Sequence, residues 1–595
     1  MGACMQFLEL SEYYDRLEST SSRLGMIDIL KDVFKKAGKE EIDKIIYITQ
    51  GVLAPPFEGV EFGLAEKMAE ESIAIATGYS KEEVNALYKK TGDLGTTAQE
   101  LVKASKLKRM SSKKYSVQEV YSSMLKISKS SGEGSKNVKI KLLADMVASS
   151  TPIEAKYLVR YPLGELRMGV GDATILEALS VAFTGERKLK ESLEHAYNIC
   201  SDLGLVGSTL MSKGAEGIKK FKVSLFKPIR PALAERMPTA EQILEKMHGK
   251  AAVEQKYDGF RCQVHKKGKE VKLYSRRLEN ITGMFPDIVR AAQTEIKADS
   301  VILEGEALGF NESTNEFMPF QETMQRKRKH SIEEKAIEIP LHLFAFDIMY
   351  LEGEDYLNKP YEERRKALES VIAGSKIIRP STRIITSSPK ELKRFFEESI
   401  EKGLEGIVAK DLDSHYIAGA RKFSWIKMKR SYMGQLSDTL DLVIVGYYLG
   451  HGTRSEFQFG GLLCAVYNKK RDMFETVSRI GTGFTEKQMS ELKSLLDKSR
   501  VKTKPARVDS LIEPDFWVEP RYVITVKADE ITKSPTHTCG REKHEDEEEF
   551  GYALRFPRIV GEEAIRSDKS VEDATTTQEV IEMYKGQKRV RIDDK

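Results

Sequence analysis

The hydrophobic periodicity of this chain changes twice along its 595 residues, and one core cannot accommodate all three patterns. Residues 1–225 carry apolar side chains at three- and four-residue spacing, as in EYYDRLESTSSRLGMIDILKDVFKKA, KNVKIKLLADMVASS and DATILEALSVAFTGE. That spacing predicts helices. They are punctuated by the paired prolines of VLAPPFEG and the turn in TGDLGTTAQE. FKPIRPALAERMP (226–238) holds three prolines in an extended pattern and predicts a linker or a domain entry. From about 250 to 430, short alternating runs (AAVEQKY, EVKLYSR, SVILEGEALGF, LHLFAFDIMYL, GIVAKDL, SWIKMKR) predict strands, with helices between them. This is an α+β domain with mostly antiparallel sheet. After Arg430, TLDLVIVGYYLG, GGLLCAVYNK, FETVSRIG and PRYVITVKAD predict four strands spaced by glycine-bearing turns, with one helix, TEKQMSELKSLLDKSR. A small β-barrel of the oligonucleotide-binding (OB) kind fits that run. The expected chain is therefore multidomain: an all-α N-terminal domain over 1–225, the α+β domain over 226–430, the barrel over 431–580 and a charged tail over 581–595.

Lys plus Arg exceed Asp plus Glu by only 95 to 91, so net charge predicts no polyanionic partner and its distribution has to be read instead. Two basic, loop-like segments, VKASKLKRMSSKKY (102–115) and KISKSSGEGSKNVKIK (126–141), mix cations with serine and glycine. That mixture suits a phosphate backbone, although a solvated linker has the same composition. The five cysteines form no C-x-x-C, which excludes a zinc finger and a disulfide framework and fits reduced thiols. No apolar run approaches the ~18–20 residues needed to span a bilayer. The N-terminus lacks the layout of a secretory signal. A cytoplasmic protein is expected, or a nuclear one if eukaryotic.

Within the α+β domain, Lys256 ends a predicted strand, with Asp258, Gly259 and Arg261 following at once. A salt-bridged surface turn would explain that much, but not the ordered set of charges and rings further along the chain. Arg276 and Arg277 lie at a strand end, and Glu304 and Glu306 share one face of a strand by i, i+2 spacing. Phe346 and Asp347 come next, then Glu405 and Lys410, and then Arg421, Lys427 and Lys429. A lysine is nucleophilic only when neutral, and nearby cations and desolvation favour that form. Carboxylates such as Glu306 and Glu405 are hard-oxygen ligands for Mg²⁺. Converging cations cradle a triphosphate and stabilise phosphoryl transfer. Phe346 offers a face to a purine. The inventory fits attack of a lysine amine on a nucleotide α-phosphorus.

EQKYDGFR, SRRLENIT, LEGEA, FAFDIMYL, EGIVAK and WIKMK resemble the nucleotidyltransferase motifs of ATP-dependent DNA ligases, in that family's order. YLVRYPLGELRMGVG (157–171) resembles the helical DNA-binding domain of the archaeal and eukaryotic replicative type. LFKPIRPALAERMP resembles its approach to the catalytic domain. SDTLDLVIVGYYLGHGTR, PDFWVEP, KADEITKSPTHT and LRFPRIV resemble its C-terminal barrel. The likeness covers nearly the whole chain and is greatest to archaeal members. It implies nick sealing in DNA replication, repair and recombination, through a lysyl-AMP and then a DNA-adenylate.

By resemblance, Lys256 would be the adenylated nucleophile and Glu254 would contact adenine. Arg261 and Arg276 would contact ribose and phosphate, and Glu306 would serve both nucleotide and metal, with Glu405 as a second metal ligand. Phe346 would stack on adenine, Arg421 and Lys427 would hold phosphates, and Arg555 and Arg558 would orient pyrophosphate. ATP is the implied AMP donor, Mg²⁺ (or Mn²⁺) the implied metal, and nicked double-stranded DNA the implied partner of a monomer. A sliding clamp is a further partner of interest, but QELVKASKL lacks the aromatic pair of a clamp-binding box.

The chain departs from the family pattern in three places. GEEAIRSDK, which holds Arg566 and Lys569, follows LRFPRIV where the family runs straight into a short arginine-rich segment, no glutamate stands near Thr525, and the run at 544–549 is acidic. ADP or NAD⁺ as donor stays open on these residues. So do an RNA ligase or capping enzyme, and a non-catalytic nick-binding protein on the same frame.

Overall fold

The computed structural model describes residues 4–20, 22–107, 113–311, 316–318, 322–323, 325–326, 332–429, 439–450, 459–542, 549–561, 565–566 and 569–587. They form two compact units, Met1–Met428 and Lys429–Lys595. Among the described residues no helix is long and apolar enough to cross a membrane.

The first unit begins with twelve α-helices, from α1 (Phe7–Glu18) to α12 (Leu203–Lys219), around one apolar core. Helix α9 (Pro152–Leu163) runs through its middle. A Thr151–Glu154 capping box starts it, and Gly164 in the left-handed conformation ends it. Its Arg160 is buried yet satisfied, bonding Asp93 at 2.5 Å and Glu18 at 2.8 Å. The expected basic loop at 126–141 is instead mostly helical. Helix α7 runs over Val117–Lys129 and α8 over Ser135–Ala148, leaving only 130–134 between them. Lysine is a good helix former, so a basic run does not by itself mark a loop. In the other basic segment α6 reaches Lys103, and residues 108–112 lie outside the described ones.

The proline-rich stretch is a domain entry whose backbone is anchored from Phe226 to Ala232 before it becomes a strand. Phe226 donates its N–H to His265 Nδ1 (2.9 Å) and accepts from the Tyr274 hydroxyl (2.9 Å). Ile229 exchanges both backbone bonds with the Gln263 amide, at 2.8 and 3.0 Å. Ala232 receives Arg261 at its carbonyl (2.9 Å) and gives its N–H to Tyr416 (3.0 Å). The chain then enters β1 (Leu233–Arg236). Prolines remove donors from this segment, and side chains from the α+β region satisfy what is left.

Since Nδ1 of buried His265 accepts an N–H, its Nε2 carries the proton and donates to Gln263 Oε1. Burial, with Lys272 nearby, pushes the imidazole pKa down to about 3. Between pH 3 and the ordinary value near 6.5, the unfolded chain therefore binds a proton that the folded chain refuses. Stability from this group is complete above about pH 6.5 and falls as pH drops towards 3, by on the order of a few kcal/mol. Urea midpoints measured from pH 7.5 to 4 should fall less steeply in His265→Asn than in the unaltered chain.

Two sheets build the α+β region. The first has the order β1, β12 (Arg421–Lys429), β11 (Gly406–Lys410), β2 (Ala251–Lys256), β10 (Arg383–Thr386). The second has the order β4 (Glu270–Ser275), β3 (Phe260–Lys267), β5 (Ser300–Asn311), β7 (Leu341–Leu351), β8 (Glu354–Asp355), with β6 (Glu316–Phe317) on β5 and β9 (Ile378–Pro380) parallel to β7. The β2–β10, β2–β11, β3–β4, β3–β5, β5–β6, β5–β7 and β7–β8 pairings are antiparallel, as expected, and β1–β12 and β7–β9 are parallel. Helices over Ala240–Lys246 and Pro389–Glu401 cover one face of the first sheet, and one over Pro286–Glu295 covers the second. The helix over Tyr361–Val371 packs on β7.

The second unit is sheet-rich. Among the described residues it has eleven strands, β13 (Leu440–Tyr448) to β23 (Arg558–Ile559), where the sequence alone predicts four. Several are two or three residues long, too short for a period-two signal. A helix over Thr577–Gln587 crosses the expected start of the charged tail. It packs through buried Val580 and half-buried Ile581. The acidic run joins β21 (Cys539–Glu542) to β22 (Phe550–Arg555), which pair antiparallel, and its residues 543–548 lie outside the described ones.

Candidate active site

Lys256 is the last residue of β2, whose preceding five residues are buried between β10 and β11. Burial of that run fixes the strand and delivers the lysine to its edge. The Lys256 carbonyl accepts the Glu405 N–H at 3.0 Å, and its ammonium forms an ion pair with the Glu405 carboxylate. The two side chains remain 24% and 26% exposed, so a ligand can reach the amine.

Gly259 turns the chain into β3 against the backbone of β5. A Cβ there would lie 2.3 Å from the Ala307 carbonyl oxygen. Its N–H donates to Glu306 Oε1 at 3.3 Å. Burial pushes the Glu306 carboxyl up to about 7; Lys256 and Arg261 oppose this, while Asp258 and Glu405 add to it. Arg261 is held on three sides. Its Nε and Nη2 bond Glu304 bidentately at 2.7 and 2.9 Å, and Nη1 bonds the Ala232 carbonyl. Its guanidinium also faces the rings of Phe346 (5.5 Å) and Trp425 (5.8 Å). Lys256, Asp258, Arg261, Glu306 and Glu405 therefore form one electrostatic cluster.

A second cluster spans the two sheets beside it. Glu254, on the same face of β2 as Lys256, is buried. Its carboxylate accepts from Tyr361, from Ser381 (2.9 Å) and from Lys410 (3.1 Å), with Arg365 at 3.5 Å. Half-buried Phe346 packs edge-on against Trp425 at 5.9 Å. Asp347 and Arg364, both fully buried, form a bidentate pair at 2.7 and 3.1 Å.

The remaining expected site residues sit on other elements, or their side chains are outside the described ones. Arg276 follows β4, exposed on the wall of a cavity of about 560 Å³ that Arg230, Arg277, Tyr47 and Tyr197 also line. Lys427 lies half-buried on β12, register partner of Arg236. Arg421 opens β12, but its side chain is outside the described residues. In the second unit Arg555 pairs with Glu530 (2.6 Å) and Arg558 with Asp529 (2.9 Å). Asp441 gathers Thr525 (2.8 Å), Lys569 (2.5 Å) and Arg566 (3.5 Å). Threonine at 525 supplies a donor where a glutamate would set a second carboxylate against Asp441.

Tyr361, Arg364, Arg365, Tyr416 and Trp425 do not stand out in the sequence, yet they support the site. Arg364 and Arg365 lie in the helix over Tyr361–Val371 and are 0% and 2% exposed. Among the described residues no group of three or more His, Cys, Asp or Glu side chains forms a metal cage. Glu306 and Glu405 instead fit Mg²⁺ bound by one or two carboxylates, with substrate phosphates and water completing its shell. A cation held by Glu306 would offset the desolvation that raises its carboxyl.

Comparison with known proteins matches three family models along the chain: DNA ligase N terminus over residues 6–180, ATP dependent DNA ligase domain over 231–429, and ATP dependent DNA ligase C terminal region over 455–569. A probable DNA ligase of Dictyoglomus turgidum is 48% identical over 590 residues, covering 99% of each chain. The DNA ligase of Saccharolobus solfataricus is 43% identical over 599 residues, again 99% of each. A solved structure described as Pmar-Lig_Pre shares the fold at a TM-score of 0.56, with 17% identity over 94% of this chain and 99% of that one. With full-length identities above 40% and matches to all three regions, the chain belongs to the family of ATP-dependent DNA ligases.

Proposed function

We propose that Lys256 carries the adenylate through which this ligase seals nicked duplex DNA, acting as a monomer. Lys256 gives up its proton to solvent, and Nζ attacks the α-phosphorus of ATP. An N–P bond forms, the bond from that phosphorus to the bridging oxygen breaks, and pyrophosphate leaves. The 5′-phosphate at a nick then attacks the same phosphorus, the N–P bond breaks, and Lys256 is restored. The 3′-hydroxyl finally attacks the 5′-phosphate, and AMP departs as the phosphodiester forms.

Glu306 and Glu405 would hold Mg²⁺, which when bound neutralises phosphate charge. Glu254 and Phe346 are assigned to adenine, Arg276 to ribose and phosphate, and Lys427 with Arg421 to phosphates. Arg555 and Arg558 are assigned to the pyrophosphate on the resemblance of their motif. Arg261, held by Glu304 and the Ala232 carbonyl, is assigned with Arg276 to ribose and phosphate. The observation that carries the reading is the placement of Lys256: a partly exposed amine at a strand end, ringed by Glu405, Glu306 and Arg261.

The test is a pulse and chase. Protein is incubated with α-phosphate-labelled ATP and Mg²⁺, and nicked duplex is then added. Label should remain on the protein through denaturation and leave it as the nick closes. Labelling by GTP alone would point to capping chemistry, and nick binding with no label after stripping by pyrophosphate would point to a binding protein.

A further inference from the structure

The base slot between the two sheets has a buried strut. Phe346 lies at a bulge in β7: Glu304 of β5 pairs with Asp347 and Gly305 with Ala345, so Phe346 is passed over in the ladder. A bulge re-aims the side chain it carries and frees the backbone at that residue. Here the Phe346 carbonyl is taken by Lys410 Nζ at 2.8 Å. Lys410 ends β11 in the other sheet and is 1% exposed. The same ammonium lies 3.1 Å from Glu254 Oε1 and 3.9 Å from Asp347 Oδ2. It also faces the rings of Trp425 (4.3 Å), Phe346 (5.0 Å) and Tyr361 (5.1 Å).

From this geometry we propose that Lys410 is a positioning residue: by bonding both Glu254 and the bulged Phe346 carbonyl, it fixes the width and register of the adenine slot. The inference rests on the assignment of Glu254 and Phe346 to adenine. Glu254 does not need Lys410 for neutrality, because Tyr361, Ser381 and Arg365 already reach its carboxylate. The contact no other described side chain makes is the pair of bonds joining Glu254 to the Phe346 carbonyl. A buried ammonium costs desolvation that an apolar residue would avoid, so its retention is explained by position rather than stability. Desolvation lowers the Lys410 pKa, and Glu254 and Asp347 oppose that shift.

The experiment measures adenylation of Lys256 in the full-length protein at varied labelled ATP and, separately, labelled GTP. Lys410→Met should raise KM for ATP about tenfold or more, the usual consequence of losing a bond to a charged group. The maximal rate at saturating ATP should stay within about threefold, and the preference for ATP over GTP should narrow. Lys410→Arg, which keeps a cation beside Glu254 and the Phe346 carbonyl, should restore KM in part and serves if the methionine variant does not fold. Phe346→Ala separates the two readings. If it raises KM while Lys410→Met leaves KM and base preference unchanged, Lys410 does not position the slot and the adenine assignment stands. If Phe346→Ala leaves KM unchanged, the adenine assignment itself fails and the Lys410 proposal with it. A fall in rate equal for ATP and GTP, at constant KM and in proportion to lost folded protein, would reduce Lys410 to a structural role.

Discussion

Lys256→Ala is expected to lose covalent labelling by ATP to below roughly 10⁻³ of the unaltered protein, because the atom that forms the N–P bond is gone. No other described lysine of the site can take over. Lys410 is buried with its ammonium committed to Phe346 and Glu254, and Lys427 lies on β12, two strands from β2 in the first sheet. The fold should survive. Lys256 is partly exposed and makes one ion pair, so its removal should cost no more than about 1 kcal/mol. Thermal melting should show this. Attack of a 3′-hydroxyl on a pre-adenylated nick needs no lysine nucleophile, so the variant should still seal such a substrate. Persistent label on the alanine variant, with its melting temperature intact, would place the nucleophile elsewhere.

Gly259→Ala should be nearly as severe for activity, through a different cause. The added Cβ would meet the Ala307 carbonyl oxygen at 2.3 Å, its carbon at 3.0 Å and Leu308 Cβ at 2.9 Å. The obstacle is backbone, and it cannot easily yield: Phe260 and Ala307 are ladder partners one residue on. The turn between β2 and β3 must therefore move, taking the Gly259 N–H away from Glu306 and shifting Lys256 with it. Displacement of a reacting group by about 1 Å costs about a hundredfold in rate, and overpacking costs about 1–3 kcal/mol in stability. Single-turnover labelling at saturating ATP, with urea unfolding alongside, separates the two effects. A variant that labels at the unaltered rate would show that the turn is not what holds the lysine.

Much of the candidate site was legible because its residues recur in a fixed order on short strands. Lys256 at a strand end, Glu306 two residues from Glu304, and Phe346 in an apolar run each need only local periodicity to be placed. The support around them was not legible. Arg364 and Arg365 sit in a helix whose sequence looks solvated, and their carboxylate partners come from β2 and β7. The proline-rich stretch from Phe226 reads equally as a linker or a domain entry until His265, Gln263 and Tyr274 are seen to take up its backbone groups. The lysines of 126–141 suited a phosphate-reading loop or a solvated linker, yet all five lie on two helices.

By itself, the sequence determined the helical first region, the antiparallel α+β core, the sheet-rich second unit and the chemical inventory of a lysine, carboxylates and cations. Only the tertiary structure decided which of those charges are buried, which are already partnered, and that Phe346 stands at a bulge held by a lysine from another sheet. The physical reason is range. Strand and helix periodicity is written within windows of roughly 11–18 residues. Desolvation and hydrogen bonding depend on neighbours in space, and Glu254 meets Tyr361 across 107 residues of chain while Lys410 meets Phe346 across 64.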